Sequence, residues 1–102
     1  MSAGIDPALH APARLQIAAV LAQVTEAEFA RLRQVTEVSD SVLSKHLSAL
    51  VDVGYVRLRK AALDGRQRTW AALTPTGRTA FRDHLAALKA LVETAQRAMA
   101  AE

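Results

Sequence analysis

The sequence predicts a single, mostly helical α+β domain with three core helices, a β-hairpin arm and a long C-terminal helix. Three observations lead to this prediction. The chain has 102 residues, of which 51% are apolar and 23% charged, which suits one compact domain and is too short for two. An Asp-Gly pair separates two stretches in which apolar and polar residues alternate. The last quarter of the chain repeats apolar residues at heptad spacing.

Composition excludes several classes of protein. The chain has no cysteine, which excludes disulfides, thiolate metal sites and cysteine nucleophiles. Its longest apolar run, residues 17–22, is far shorter than the ~20 residues that a membrane span needs. The first basic residue is Arg14, so no basic segment precedes an apolar one as in a secretory signal. We therefore expect a cytoplasmic protein without a membrane contact.

The N-terminal part is expected to form a tail over residues 1–5 and a helix over residues 7–23. Asp6 can cap this helix, and proline suits the first helical position. Pro12 cannot donate a backbone hydrogen bond, so we expect a break or kink near residues 10–11. Beyond it, apolar residues occur on several sides, which is typical of a helix covered on more than one face. A second copy of the chain could supply one of these covers.

A helix-turn-helix pattern follows over residues 28–53. Thr25 and Glu28 have the spacing of a capping box, which predicts a short helix over residues 28–35. A brief extended segment over residues 25–27 is the alternative for its start. Ser39 is expected to cap the second helix, which ends at Gly54 in the position that glycine favours after a helix.

The second helix of the pair has an apolar face and a polar face. Leucines fall on one narrow face, which Val42, Ala49 and Val53 are expected to widen. The opposite face carries short side chains and one lysine instead of the glutamates and lysines usual on a solvated helix. Such a face can lie close against another surface. The polar side chains of this face include Ser41, Ser44, Lys45 and Ser48.

Residues 55–74 predict a basic hairpin. A two-residue Asp64-Gly65 turn would pair Leu63 with Arg66 at the tip. The same register would pair Leu58 with Ala71 and Val56 with Leu73 on the buried face. Residues 55–78 carry six basic groups and one acidic group, a net charge of +5. Clustered arginines of this kind favour contact with a polyanion, whereas a solvated hairpin is the simpler alternative. Arg59, Lys60, Arg66 and Arg68 are the candidates for such a contact, and an Asp64–Arg66 pair that only orders the turn is the alternative for Arg66.

The C-terminal helix is expected over residues 75–100, starting at Thr74-Pro75. Its length of about 38 Å exceeds what a domain of this size easily covers. The helix could pack on its own domain, but we expect its seam to contact a second copy of the chain. The predicted dimer interface comprises Leu15 of the N-terminal helix and the seam residues Phe81, Leu85, Leu88, Val92, Ala95 and Met99.

The order of these elements is that of a winged helix-turn-helix. The segments 10–15, 38–47, 50–56, 64–66 and 73–78 together resemble the small winged-helix transcriptional regulators of the MarR/ArsR superfamily. The resemblance spans residues 9–88 and is closest to the short members without an effector domain. It implies that the third helix enters the major groove of double-stranded DNA and that the hairpin wing reaches the backbone or the minor groove. The DNA-binding residues expected from it are Ser41, Ser44, Lys45 and Ser48 on the helix and Arg59, Lys60, Arg66 and Arg68 on the wing. It also implies a homodimer on a pseudo-palindromic operator.

Other functions find less support. No nucleophile, phosphate loop or paired carboxylates indicate catalysis, so we expect no enzyme. Asp6, His10, Asp83 and His84 are too sparse a set to predict a metal site, and no cofactor is expected. His46 is expected at the edge of the core. The alternative function is a winged-helix protein-interaction module, and a cleft between helices leaves room for an unidentified small-molecule effector.

Overall fold

The computed structural model describes residues 4–101 as five helices and a three-stranded antiparallel sheet of order β1-β3-β2. The fold measures 61 × 26 × 21 Å because the last helix extends beyond the rest. It is mostly helical, as predicted, with a wing of three strands. The elements are α1 (Pro7–His10), α2 (Pro12–Leu21), β1 (Ala27–Glu28), α3 (Phe29–Thr36), α4 (Asp40–Asp52), β2 (Val56–Leu63), β3 (Arg66–Leu73) and α5 (Pro75–Ala100).

The N-terminal helix is interrupted where the proline predicts. Asp6 caps α1 by accepting a hydrogen bond from the amide of Ala8. Ala11 has an extended backbone, so the predicted helix over residues 7–23 is two helices, and the second ends at Leu21. The prediction of a loose tail was wrong for residues 4–5. Ile5 is half-buried, and Gly4 lies so close to α5 that an added Cβ would be 2.9 Å from that of Ala87. Residues 1–3 of the predicted tail lie outside the described residues.

The two ends of the helix-turn-helix differ in how well local sequence predicts them. The capping box was wrong, because residues 27–28 pair with β3 as a strand and Glu28 makes no side-chain cap to α3. Pairing with β3 satisfies this backbone in place of the cap. The Ser39 cap on α4 is confirmed, since its hydroxyl accepts from the amide of Val42. Gly54 follows α4 with φ +81°, the left-handed conformation expected of a glycine there.

The core lies between α1, α2, α3, α4 and the base of the sheet. Leu43, Leu47 and Leu50 are all buried, as the helical spacing predicts. The expected widening of this face was wrong for Val42 and Val53, whereas Ala49 is half-buried. Val42 and Val53 remain 39% and 47% exposed, because no element covers that side of α4 within residues 4–101. The buried apolar residues are Leu9, Ile17, Ala18, Leu21, Ala27, Leu32, Leu43, Leu47, Leu50, Val56, Ala71, Ala72, Leu73 and Phe81.

The predicted hairpin register is confirmed. Leu63 lies opposite Arg66, Leu58 opposite Ala71, and Val56 opposite Leu73. Both turn residues have positive φ, 53° for Asp64 and 74° for Gly65, as a two-residue turn between twisted strands requires. Only the base of the hairpin reaches the core, since Leu58 is 39% exposed and Leu63 at the tip 45%. The outer half of the wing therefore projects from the domain.

Helix α5 packs on the domain through its first turns only. Thr74 caps it by accepting from the amide of Gly77, as predicted. Gly77, Phe81 and His84 are its buried residues, and every side chain from residue 89 to residue 101 is exposed. Two predicted interface residues pack within the domain instead. Phe81 is 7% exposed and belongs to the core, and Leu15 packs against the core. The uncovered seam begins at Leu85.

Candidate nucleic-acid interface

One exposed face of α4 carries short polar side chains and a lysine. Ser41, Ser44, Lys45 and Ser48 are all exposed, because the leucines of α4 point into the core and turn this face outward. The hydroxyl of Ser41 lies 3.3 Å from that of Ser39, the N-cap. Lys45 makes no salt bridge within residues 4–101. This face can approach a surface closely and offers hydroxyls and one ammonium group.

The tip of the wing carries free positive charge. Arg66 is exposed and makes no salt bridge with any of the described residues, so the alternative of an Asp64–Arg66 pair is not what the structure contains. Lys60 is also exposed and unpaired in residues 4–101. It lies opposite Thr69, on the face of the hairpin that does not carry Arg66. The two cations thus project from opposite faces of the outer wing.

The α4 helix and the wing border the same groove. Its volume is about 510 Å³, and Ser44 of α4 faces Arg66 and Arg68 of β3 across it. Glu28 and Asp40 lie at the groove as well. The structure therefore brings a candidate residue of the helix and two of the wing to one side of the molecule.

Two carboxylates, one just before β1 and one on it, pair with two of the candidate arginines. Glu26 accepts two hydrogen bonds from the guanidinium of Arg59, one of them 3.1 Å from Nε to Oε2. These bonds from Arg59 lower the pKa of the Glu26 carboxyl. The Arg59 guanidinium also lies 5.6 Å from the centre of the ring of Trp70, the residue opposite it on β3.

The second pair joins Arg68 and Glu28. The Arg68 Nη1 atom donates to Glu28 Oε1 at 2.6 Å, and the side chains are only 30% and 24% exposed. The Nε atom of Arg68 is buried and has no partner among the described residues. Arg59 and Arg68 are therefore held by internal carboxylates, whereas Lys60 and Arg66 are free.

Two further contacts set the positions of the helices. Asp40, in the first turn of α4, accepts from Arg33 of α3 at 3.0 Å, and this exposed pair joins the two helices of the helix-turn-helix. His46 lies at the edge of the core, as expected, and accepts at Nδ1 from Arg14 Nε at 3.0 Å. Burial, together with the charge of Arg14, lowers the pKa of His46.

A separate pocket of about 720 Å³ lies between residues 4–7, Tyr55 and the start of α5. Asp6 accepts from the Tyr55 hydroxyl at 2.5 Å, which raises the pKa of Tyr55, and the backbone amide of Asp6 donates to buried His84. His10 meets the His84 ring edge-on, with ring centres 5.7 Å apart. Across residues 4–101 there is no cluster of three or more histidine, aspartate or glutamate side chains suited to a metal ion.

Sequence reasoning missed the roles of Glu26 and Glu28, the two glutamates just before β1 and on it. They lie 33 and 40 residues from their arginines, so no local spacing connects them. The signal that was present is the alternation of Glu26 and Glu28 around buried Ala27, which is typical of a strand. That pattern gives the strand but not its partner.

The fold and this surface define a winged helix-turn-helix domain of the DNA-binding type. The sequence profile of the winged helix DNA-binding domain family matches residues 13–92, so the chain belongs to that family. The family binds DNA and is not one of enzymes, in agreement with the sequence-based expectation. No helix within residues 4–101 combines the length and the apolar character needed to cross a bilayer.

Known proteins support the same assignment. The chain is 32% identical over 72 residues to the uncharacterised protein MJ0432 of Methanocaldococcus jannaschii, covering 71% of this chain and 78% of that one. A transcriptional regulator homologue from Pyrococcus horikoshii is 29% identical, with a TM-score of 0.78 over 85% of this chain and 86% of the other.

Two more distant structures are similar as well. HlyU of Vibrio cholerae, which is ArsR-like, is 26% identical, with a TM-score of 0.61 over 74% of this chain and 77% of its own. A MarR-family protein from Enterococcus faecalis shares the fold at 23% identity, with a TM-score of 0.71 over 93% and 84% of the two chains. The predicted resemblance to MarR/ArsR-type transcriptional regulators is thereby confirmed.

Proposed function

We propose that this protein is a homodimeric transcriptional regulator that binds a pseudo-palindromic site in double-stranded DNA. The observation that carries the proposal is the shared groove in which Ser44 of α4 faces Arg66 of the wing. A helix in the major groove with a neighbouring hairpin on the adjacent backbone needs both elements on one side of the domain. Half-sites about 10 bp apart would match two copies related by a two-fold axis.

The α4 surface supports modest base readout. Ser41, Ser44, Lys45 and Ser48 can bond base edges or phosphates. The face has no arginine, asparagine or glutamine, so only Lys45 can contact both guanine acceptors. Asp40 is occupied by Arg33, which argues against its accepting a bond from cytosine. Phosphate contacts therefore supply much of the affinity, and groove shape and half-site spacing add to specificity.

The homodimer rests on the outer part of α5. Its seam residues Leu85, Val92 and Met99 are 46%, 52% and 72% exposed, and Leu91 beside them is 57% exposed. A helix of 26 residues with an apolar stripe at heptad spacing is typical of one that pairs with another helix. Leu88 and Ala95 complete the stripe.

The dimer is tested by one substitution on the seam and one off it. Val92→Asp places a charge in the proposed interface, and Ala90→Asp adds the same charge to an exposed position off the stripe. In sedimentation equilibrium we expect the wild type and Ala90→Asp to be dimers and Val92→Asp to be a monomer. A monomeric wild type, at concentrations well above those used for DNA binding, would refute the dimer.

DNA binding is tested by salt titration with duplex DNA. Each lost phosphate contact should reduce the slope of log K against log salt by about 0.9. We expect that change for Arg66→Ala, and no change for the control Arg97→Ala near the exposed end of α5. Lys45→Ala and Ser44→Ala should alter the preference among sequences more than the slope. If wild-type protein does not bind duplex DNA at low salt, the function is wrong, and a protein-interaction module becomes the better hypothesis.

A further inference from the structure

The wing contains two kinds of arginine. Arg66 at the tip is exposed and unpaired within residues 4–101, whereas Arg68, two residues further along the same face of β3, is half-buried against Glu28. Arg59 on β2 is paired in the same way with Glu26. Both carboxylates belong to or adjoin β1, which pairs with β3 on the side away from β2. Arg59 and Arg68 thus have internal counter-ions, whereas Arg57 near the base and Arg66 at the tip make no salt bridge among residues 4–101.

The Glu28–Arg68 pair lies where a DNA strand would pass in the proposed complex. The groove between α4 and the wing is lined by Glu28, Ser44, Arg66 and Arg68 together. A phosphate entering this groove would compete with a carboxylate that already accepts a charge-assisted bond from Arg68 Nη1. It would also approach the negative charge of Glu28 itself. Both effects oppose a contact between that phosphate and Arg68.

We propose that Glu28 and Glu26 are internal counter-anions that withhold Arg68 and Arg59 from DNA phosphates. The two glutamates are positioning residues: they fix the base of the wing against β1 and α3, and they leave Arg57, Lys60 and Arg66 available for phosphate contacts. The exposed α4 face then meets DNA at a fixed distance from the wing tip. This inference rests on the proposed DNA-binding function and names residues that set its strength.

The test compares single and paired substitutions in the full chain, with random-sequence duplex DNA titrated at several salt concentrations. Arg68→Ala should leave the slope of log K against log salt unchanged, while Arg66→Ala should reduce the magnitude of this negative slope by about 0.9. Glu28→Gln keeps the size of the side chain and frees Arg68. The Glu28→Gln variant should increase the magnitude of the negative slope by about 0.9. It should also tighten binding on the order of tenfold at 50 mM salt, with a smaller gain at higher salt.

The double variant Glu28→Gln/Arg68→Ala separates this mechanism from a general loss of negative charge. If the freed arginine is the cause, the gain of Glu28→Gln disappears in the double variant. The matched control is Glu37→Gln, which neutralises an exposed glutamate in the turn between α3 and α4 that makes no salt bridge in the described part of the chain. It should change neither the slope nor the affinity. Circular dichroism melts confirm that each variant is folded.

Two results would overturn the inference while leaving the DNA-binding function intact. In one, Arg68→Ala lowers the slope as Arg66→Ala does, which makes Arg68 a direct phosphate ligand. In the other, Glu28→Gln tightens binding equally with and without Arg68, which reduces Glu28 to a diffuse repulsive charge. If Arg68→Ala does not fold, an unchanged slope for Glu28→Gln is itself sufficient to reject the proposal. Absence of DNA binding by the wild type would reject both proposals together.

Discussion

Replacement of Gly77 by alanine should destabilise the protein strongly, although alanine is the better helix former. Gly77 lies in the first turns of α5, directly over the backbone of Tyr55. A Cβ at this position would be 2.1 Å from the Tyr55 carbonyl oxygen and 2.9 Å from its carbon, both shorter than real Cβ atoms show. The neighbour is backbone, so no side-chain rotation can relieve the overlap.

The magnitude follows from what surrounds that carbonyl. Its oxygen accepts from the amide of Thr74 at 3.0 Å, and the Thr74 hydroxyl bonds both Gly54 and Gly77, so movement of α5 disturbs the whole junction. Overpacking against backbone costs about 3 kcal/mol, at the upper end of its usual range, and one weakened hydrogen bond about 1 kcal/mol. Better helix propensity returns about 1 kcal/mol. The net loss is about 3 kcal/mol, which lowers Tm by roughly 12–24 °C in a domain of this size.

Thermal unfolding followed by circular dichroism measures this effect at one fixed protein concentration, because dimerisation would make Tm concentration-dependent. The control is Thr79→Ala, an exposed position in the same helix, which should change stability by no more than about 0.5 kcal/mol. A Gly77→Ala variant that melts within about 2 °C of the wild type would show that the α5 junction is not as close as the structure places it, since even 1 kcal/mol shifts Tm by about 4 °C or more.

Two further predictions concern α4. Leu43→Ala should lower the free energy of unfolding by about 2–5 kcal/mol in denaturant titration, because its side chain is fully buried. Val42 is 39% exposed, so Val42→Ala should lower it by no more than about 0.5 kcal/mol. Equal losses would show that Val42 belongs to the buried face of α4 after all. The pKa of His46 is lowered in the folded state, so the unfolded chain binds the proton more readily. Its stability contribution is complete above the ordinary value of 6.5 and is lost as pH falls through the lower folded value. His46→Gln should therefore reduce the fall in stability between about pH 7 and pH 5, and an unchanged pH profile would contradict that assignment.

Local signals in the chain were sufficient for most of the secondary structure. The Asp6 and Ser39 caps, the break before Pro12 and the two-residue turn at Asp64-Gly65 are each decided within a few residues, because backbone amides there need a nearby acceptor or a particular φ. The hairpin register followed from the turn alone. The order of elements was then sufficient to indicate the winged-helix family.

Local signals failed where distant segments compete for the same residues. Thr25 and Glu28 have the spacing of a capping box, yet Glu28 pairs in a strand because β3 offers its backbone partners and Arg68 takes its carboxylate. Phe81 fits the heptad seam but is buried in its own domain, since the first turns of α5 lie on the sheet. Helical spacing predicts the direction in which each side chain points, but it does not identify the element against which that side chain packs.

By itself, the sequence determined the caps of α1, α4 and α5, how the hairpin pairs, and that positive charge is concentrated in its arm. The tertiary structure alone decided which of those charges are free. Charges interact through space, and the strand pairing that brings Glu26 and Glu28 to Arg59 and Arg68 joins parts of the chain 33 and 40 residues apart. That pairing neutralises two of the basic side chains of the wing, Arg59 and Arg68, and leaves the others without a salt bridge among residues 4–101.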